Sequence, residues 1–304
     1  MTNLFPRSTA LPASITVFAP AKINLVLRIL DRRPDGYHNL WSLMQIVQLE
    51  DELSISLSDK HSAITLRCDD PSLGTDPSNL VYRAAAAVRE HSGRAVGLDL
   101  MLAKRIPMGA GLGGGSSDAA ATIIGLNQLL NLGWSMEEMA HVGQTLGSDV
   151  PFFFFAPSAI VGGRGEKVAP VRIKGQRWVV LVNPGFPVET KWAYQQLSVS
   201  RTGVRSISEV HAALGNASEL AWENVLQLAE NDFETAVFKA HPVLHGIKQK
   251  LLGEGAEAAL LSGSGATVFG VFRDETSARQ ARSSLQTESH LKVYAVSTPS
   301  DLQQ

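Results

Sequence analysis

The chain has 304 residues with 27 Lys plus Arg against 29 Asp plus Glu, a formal net charge of −2. No cationic excess therefore points to nucleic acid or an anionic membrane as a partner. At 44% hydrophobic and 18% charged it reads as globular protein of one or two domains. Cys68 is the only cysteine, which excludes an internal disulfide or a cysteine metal cluster and fits a reducing cytoplasm. Residues 1–14 carry no apolar core behind a basic flank, and no apolar run reaches membrane-spanning length, so neither a secretory signal nor a membrane anchor is read.

In chain order, residues 15–30 alternate apolar and polar and read as a strand. Lys22, Asn24 and Arg28 share one of its faces, which a solvated strand face explains as well as a site does. Residues 31–38 (Asp-Arg-Arg-Pro-Asp-Gly-Tyr-His) form a turn that sets Tyr37 beside His38. A lone histidine is more often structural than functional. Residues 41–57 read as further strand and 69–77 as a turn-rich connection. Residues 79–89 read as a helix capped by Asn79 and ending near Gly93.

Residues 97–106, Lys104 among them, suggest a strand by their early alternation, and the chain then runs into Pro107-Met108-Gly109-Ala110-Gly111-Leu112-Gly113-Gly114-Gly115-Ser116-Ser117-Asp118. Glycines free the backbone N–H groups to converge on one anion, and Ser116 or Ser117 is placed to cap the helix behind them, which runs to about residue 131. A strand, a glycine loop and a helix N-terminus together make a phosphate cradle. Gly109, Gly111 and Gly114 satisfy a dinucleotide fingerprint, but no acid lies between residues 119 and 136 to take a ribose. A Walker loop needs a lysine after its last glycine, and none follows Gly115. A bare glycine turn has no need of Ser-Ser-Asp and a helix start.

Beyond Gly133, Ser135 and Glu138 form a capping box for a second helix. That helix stops at Gly147-Ser148, leaving Asp149 on a loop before an extended Val150-Pro151. An acid at that end opposes the helix dipole, although loop aspartates are common. Residues 152–155, four phenylalanines, read as buried strand, and residues 162–165 as a tight turn. The organisation changes near residues 174–176. Strands over 178–182, 258–261, 267–272 and 291–296, with helices over 233–252 and 276–284, suggest an α+β layer of split-βαβ type. Asp232 reads as a cap of the helix that follows it.

The glycine loop resembles the central motif of the galactokinase, homoserine kinase, mevalonate kinase and phosphomevalonate kinase (GHMP) superfamily. Together with Ala21-Lys22-Ile23-Asn24-Leu25, Arg33-Pro34-Asp35-Gly36-Tyr37-His38 and Gly147-Ser148-Asp149-Val150-Pro151, it is similar to the 4-diphosphocytidyl-2-C-methyl-D-erythritol kinase family. The resemblance implies a two-domain α+β protein. Residues 1–175 would form an ATP-binding domain of ribosomal-protein-S5-like fold and residues 176–304 a ferredoxin-like domain, the site lying between them. It implies a cytoplasmic kinase of isoprenoid precursor biosynthesis that moves the ATP γ-phosphoryl to the C2 hydroxyl of 4-diphosphocytidyl-2-C-methyl-D-erythritol, with Mg²⁺. Partners would be small molecules, with no nucleic acid or membrane, in a monomer or homodimer.

By the same resemblance Lys22 and Asp149 are catalytic, with Asp149 as general base and Lys22 orienting it. Pro107, Met108, Gly109, Ala110, Gly111, Leu112, Gly113, Gly114, Gly115, Ser116 and Ser117 cradle the phosphates. Asn79 and Lys104 lie near the adenosine, while Asn24, Tyr37, His38 and Tyr194 take the cytidine substrate. Leu261-Ser262-Gly263-Ser264-Gly265-Ala266-Thr267 resembles the superfamily's third motif, a loop that supports the site from the second domain; a plain glycine hairpin is its rival. Another kinase of the superfamily, or a nucleotide-binding regulator without catalysis, would share the loop; retention of both Lys22 and Asp149 argues against the regulator.

Overall fold

The computed structural model describes residues 13–60, 62–200, 206–215 and 217–300. The reading of the chain start as leaderless falls on residues 1–14, of which 1–12 lie outside the described residues. The chain begins with β1 (Ser14–Arg32) and β2 (His38–Ser58), an antiparallel pair whose register shifts between Pro20 and Ala21 and between Asn24 and Val26. Such bulges bend a strand and let proline sit within it. After β3 (Ile64–Cys68) comes α1 (Leu80–Ser92), capped by the Asn79 side chain and closed by Gly93 in the left-handed region. Then follow β4 (Gly97–Ala103), α2 (Gly114–Leu129) and α3 (Met136–Gln144), the last with the expected capping box. The hairpin of β5 (Ser158–Gly163) and β6 (Lys167–Pro170) pairs with β2.

A short β7 (Arg172–Lys174) leads to β8 (Trp178–Asn183), then α4 (Thr190–Ser200) and α5 (Glu209–Gly215). Next are β9 (Glu219–Ala221), α6 (Trp222–Gln227) and β10 (Glu230–Asn231), followed by α7 (Glu234–Ala240) and α8 (Pro242–Gly253). The chain closes with β11 (Ala258–Leu261), β12 (Val268–Phe272), α9 (Glu275–Leu285) and β13 (Lys292–Ser297). The second sheet runs β11-β12-β8-β13, antiparallel throughout. With α8 before β11 and α9 before β13, that is the expected split-βαβ, ferredoxin-like order. The first sheet runs β10-β1-β2-β4-β3, so the later half of the chain lends it an edge strand.

Several expectations fail locally, each for a physical reason. The helix expected over 233–252 is two helices, α7 and α8, because Pro242 cannot donate to the first and starts the second. The phenylalanines form no strand: Phe152, Phe153 and Phe154 lie in a single 3-10 turn, Pro151–Phe154, that Phe155 ends, with Val150 already helical at φ −60 and ψ −44 rather than extended. Phe152 and Phe153 pack edge to face within it, and burial of every side chain hides the periodicity that separates strand from helix. Helices α4, α5 and α6 carry weak signals and were not anticipated.

Of the two readings left open for the polar face of β1, burial excludes the solvated one: Lys22 is 3%, Asn24 1% and Arg28 6% exposed. Ala21, Ile23 and Leu25 pack into a core cluster with Val179, Leu181 and Phe269 of the second sheet. The opposite face, with Lys22 and Asn24, is thereby turned into the cleft between the sheets.

Candidate active site

The floor of that cleft, about 670 Å³ in volume, is the glycine loop. Gly109, Gly111 and Gly113 all have positive φ, at 60°, 76° and 71°. Helix α2 starts at Gly114 with Gly113 as its cap and no side-chain cap bond, so Ser116 and Ser117 lie in its first turn and do not cap it. A capping side chain would occupy an N–H group; a glycine cap leaves the helix N-terminus free to receive an anion. Close approach is the second use of these glycines. A Cβ on Gly111 would lie 1.9 Å from the Ser262 carbonyl oxygen, and one on Gly113 would lie 2.9 Å from Lys22 Cγ.

Lys22 and Asp149 come together above this loop. Lys22 Nζ donates to Asn24 Oδ1 at 2.6 Å and to the Gly111 carbonyl at 3.0 Å, and lies 3.7 Å from Asp149 Oδ2. The Asn24 amide donates in turn to Ser42 Oγ at 2.9 Å, so the lysine head is held by an ordered chain. Burial pulls the Lys22 ammonium below the usual lysine range, opposed by the Asp149 carboxylate. The Asp149 side chain is 34% exposed and faces the cleft. It is presented by the turn between α3 and the phenylalanine turn, whose Phe153 abuts Gly113.

Lys104 reaches the cleft from the end of β4, where Asp51 and Asp118 hold its Nζ, the latter at 2.8 Å. Burial alone would lower its pKa, but Asp118 and Asp51 outweigh that and raise it. Asp51 Oδ1 also accepts from the Ile106 N–H at 2.9 Å. One ammonium therefore serves two buried acids, and burial, with Asp51 adding, pushes the Asp118 carboxyl up to about 7 against the pull of Lys104. Asn79 lines the cleft as well as capping α1, its Oδ1 accepting from the Val81 N–H at 2.8 Å.

Tyr194 lines the other end of the cleft, and His38 stacks on its ring with centroids 5.1 Å apart and planes at 23°. Tyr194 also meets Phe233 edge to face at 4.9 Å. Burial raises the Tyr194 phenol above the ordinary tyrosine range, and the Asp149 carboxylate adds to it. Tyr37 is elsewhere: it is 59% exposed, with the Arg164 guanidinium 5.0 Å from its ring centre, and does not line the cleft.

The third glycine turn docks directly on the first loop. Ser262 Oγ donates to the Gly111 carbonyl at 2.9 Å, and the Thr267 N–H donates to the Ala110 carbonyl at 3.1 Å. Asp232 is not a helix cap. Its Oδ2 accepts from the Ile29 N–H of β1 at 2.7 Å, and α7 has no side-chain cap. Asn231, the neighbour of Asp232, ties the third turn in place through the Leu261 and Gly263 carbonyls. Its signal in the sequence is the segment Asn231-Asp232-Phe233-Glu234, which resembles a pattern of the family.

Residues 79–156 match the model of the GHMP kinases N terminal domain, and residues 206–290 that of the GHMP kinases C terminal domain. The chain is 42% identical to the 4-diphosphocytidyl-2-C-methyl-D-erythritol kinase of Geobacter metallireducens over 283 residues, covering 93% of this chain and 98% of that one. It is 44% identical to the enzyme of that name from Syntrophotalea carbinolica, with the same coverage. Among solved structures, a 4-(cytidine 5'-diphospho)-2C-methyl-D-erythritol kinase matches at TM-score 0.75 and 31% identity, over 93% of this chain and 98% of that chain. A homoserine kinase from Cytophaga hutchinsonii, at 20% identity and TM-score 0.73 over 99% of this chain and 98% of its own, shares the fold. With its ferredoxin-like sheet, its glycine-loop cleft and these similarities, the chain belongs to the 4-diphosphocytidyl-2-C-methyl-D-erythritol kinase family of GHMP kinases.

Proposed function

We propose that the chain transfers the γ-phosphoryl of ATP to the C2 hydroxyl of 4-diphosphocytidyl-2-C-methyl-D-erythritol, with Lys22 and Asp149 as the reacting pair. The observation that carries this reading is a half-buried carboxylate 3.7 Å from a buried ammonium, directly above a glycine loop and helix N-terminus built for phosphate. Phosphoryl transfer is mostly positioning and charge neutralisation. Asp149 accepts the hydroxyl proton as the bond from oxygen to γ-phosphorus forms and the bond to the β–γ bridging oxygen breaks. Lys22 orients Asp149 and faces the charge on the transferring group. Backbone N–H groups of residues 109–117 receive the phosphates, Asn79 and Lys104 line the adenosine end, and Asn24, His38 and Tyr194 receive the cytidine substrate. Tyr37 acts from the rim of that pocket.

Mg²⁺ would accompany ATP and neutralise phosphate charge. Among the described residues no group of three His, Cys, Asp or Glu side chains is arranged to hold a metal ion; a phosphate-borne Mg²⁺ requires only one or two protein oxygens. The Ser117 hydroxyl, buried at the head of α2 without a hydrogen-bond partner, is an oxygen of that kind. We also propose the division into an ATP-binding domain, residues 1–175, and a ferredoxin-like domain, 176–304; the two family matches fall on either side of it. Cytoplasmic residence, as a monomer or homodimer without nucleic-acid or membrane partners, belongs to the same reading. Among the described residues no helix is long and apolar enough to cross a membrane.

The test is ATP-dependent phosphorylation of 4-diphosphocytidyl-2-C-methyl-D-erythritol, with galactose, homoserine and mevalonate as competing acceptors. Turnover confined to the cytidine substrate supports the reading. Turnover of another acceptor, or nucleotide binding without turnover, overturns it.

A further inference from the structure

We propose that Asn231 is a positioning residue for the Lys22–Asp149 pair, acting through the backbone of Gly263. This rests on the reading of that pair as the reacting groups. Asn231 is 6% exposed, and its β10 backbone pairs in parallel with β1, opposite Leu27. Its amide nitrogen donates to the Leu261 carbonyl at 2.7 Å and to the Gly263 carbonyl at 2.8 Å. Its Oδ1 accepts from the Phe233 N–H at 2.9 Å. One side chain thus holds the third glycine turn and the residue that packs against Tyr194.

Gly263 is the contact that matters for chemistry. It has φ +55°, and a Cβ there would lie 3.3 Å from Lys22 Nζ and 3.2 Å from the Gly111 carbonyl oxygen. Its backbone therefore covers the lysine head and keeps water from it. The segment that carries Asn231 is referenced to the same strand as Lys22: the Asp232 N–H donates to the Leu27 carbonyl at 3.0 Å, and Asp232 accepts from Ile29. Glu234 adds a second tie by accepting from the Leu261 N–H at 2.9 Å while Lys248 pairs with it at 2.6 Å. Strand β1 thus fixes Lys22 at one point and, through Asn231 and Gly263, the lid over its ammonium at another. An amide suits the position because one side chain must donate to two carbonyl oxygens and also accept from the Phe233 N–H, which Lys and Arg cannot do.

The charged group facing Lys22 is Asp149. Asn24 and the Gly111 carbonyl are neutral acceptors, and the Tyr194 phenol is coupled to Asp149 from α4. Releasing Gly263 hydrates Lys22 and lets its lysine character return toward the ordinary range. In the full-length chain, Asn231→Ala is expected to lower kcat about tenfold or more, since a small misplacement of a reacting group is costly, with the KM for ATP little changed. The alkaline limb of the kcat profile, where Lys22 loses its proton, moves to higher pH. Asn231→Ser keeps one donor and should fall between the two in both readouts; it decides the matter if the alanine variant does not fold. Wild-type kcat in these variants overturns the proposal, and so does a reduced kcat with an unmoved alkaline limb, which marks a merely structural tie. The unaltered chain is assayed first: absence of turnover there overturns the proposed function, whereas active wild type with unmoved variants overturns only the role of Asn231.

Discussion

Asp149→Asn keeps the size of the side chain and removes its basicity. Loss of a positioned general base lowers rate by about 10²–10⁴, so kcat should fall on that scale with both KM values nearly kept. A near-normal kcat in steady-state kinetics would leave Asp149 only a residue of the α3 turn. Under the proposed function the base would be received by the stacked rings of His38 and Tyr194. An aromatic platform contributes about 1–3 kcal/mol per stacked base, so Tyr194→Ala should raise the KM for the cytidine substrate roughly tenfold, at about 1.4 kcal/mol per tenfold. Tyr37→Ala should raise it less, because that ring is exposed under Arg164; equal effects would put the base on the outer turn. Asp118 gives a pH signature. Its carboxyl is pushed up from 3.8 to about 7 in the folded protein, so the native state binds that proton more tightly than the unfolded chain does. Native stability from this group is present below its ordinary value and lost as pH rises toward 7. The melting temperature of Asp118→Asn should therefore gain on the wild type between pH 4 and about 7. A constant difference across that window would refute the assignment.

At the scale of elements, the two glycine loops work as one docked unit, and two glycines separate docking from simple turn strain. Gly111 has φ 76°, and a Cβ there meets the Ser262 carbonyl at 1.9 Å. Gly133 has φ +72° with nothing within 4 Å of the same point. Gly111→Ala should weaken ATP binding at least tenfold by prising the loops apart, as read by calorimetric titration. Gly133→Ala bears only left-handed strain, about 1 kcal/mol, so the melting temperature should drop slightly while ATP affinity stays. Equal ATP affinities in the two variants would show that the loop-to-loop contact does not shape the phosphate site.

The whole molecule shares one interior across its two sheets. Val180 and Val182 of β8 belong to the same core cluster as Ala119 of α2 and Phe152, while β10 completes the edge of the first sheet. Neither half can leave the other without exposing apolar surface at about 25 cal/mol per Å². Thermal unfolding should accordingly be a single transition in calorimetry, shifted upward by ATP according to its affinity. Two resolved transitions would mean that the shared core does not couple the halves.

The elements that local chemistry controls were legible in the chain itself. Asn79, Ser135 with Glu138, and Gly93 mark helix ends because capping satisfies orphaned N–H and C=O groups within a few residues. The positive-φ glycines of the phosphate loop are legible for a similar reason, since only their own backbone conformation is at stake. The second sheet was legible from short apolar strands between turn residues. What tertiary structure alone decided is which distant groups meet. By pattern alone Lys22 fitted a solvated strand face as well as a site; a second sheet that covers the other side of β1 decided between them. Asp149, the His38–Tyr194 stack, the acids around Lys104 and the grip of Asn231 on Gly263 are all contacts between separate elements. Local propensity reaches only about one turn along the chain. The chemistry of this cleft is set by burial and charge from residues far apart in sequence, and those exist only once the two sheets have packed.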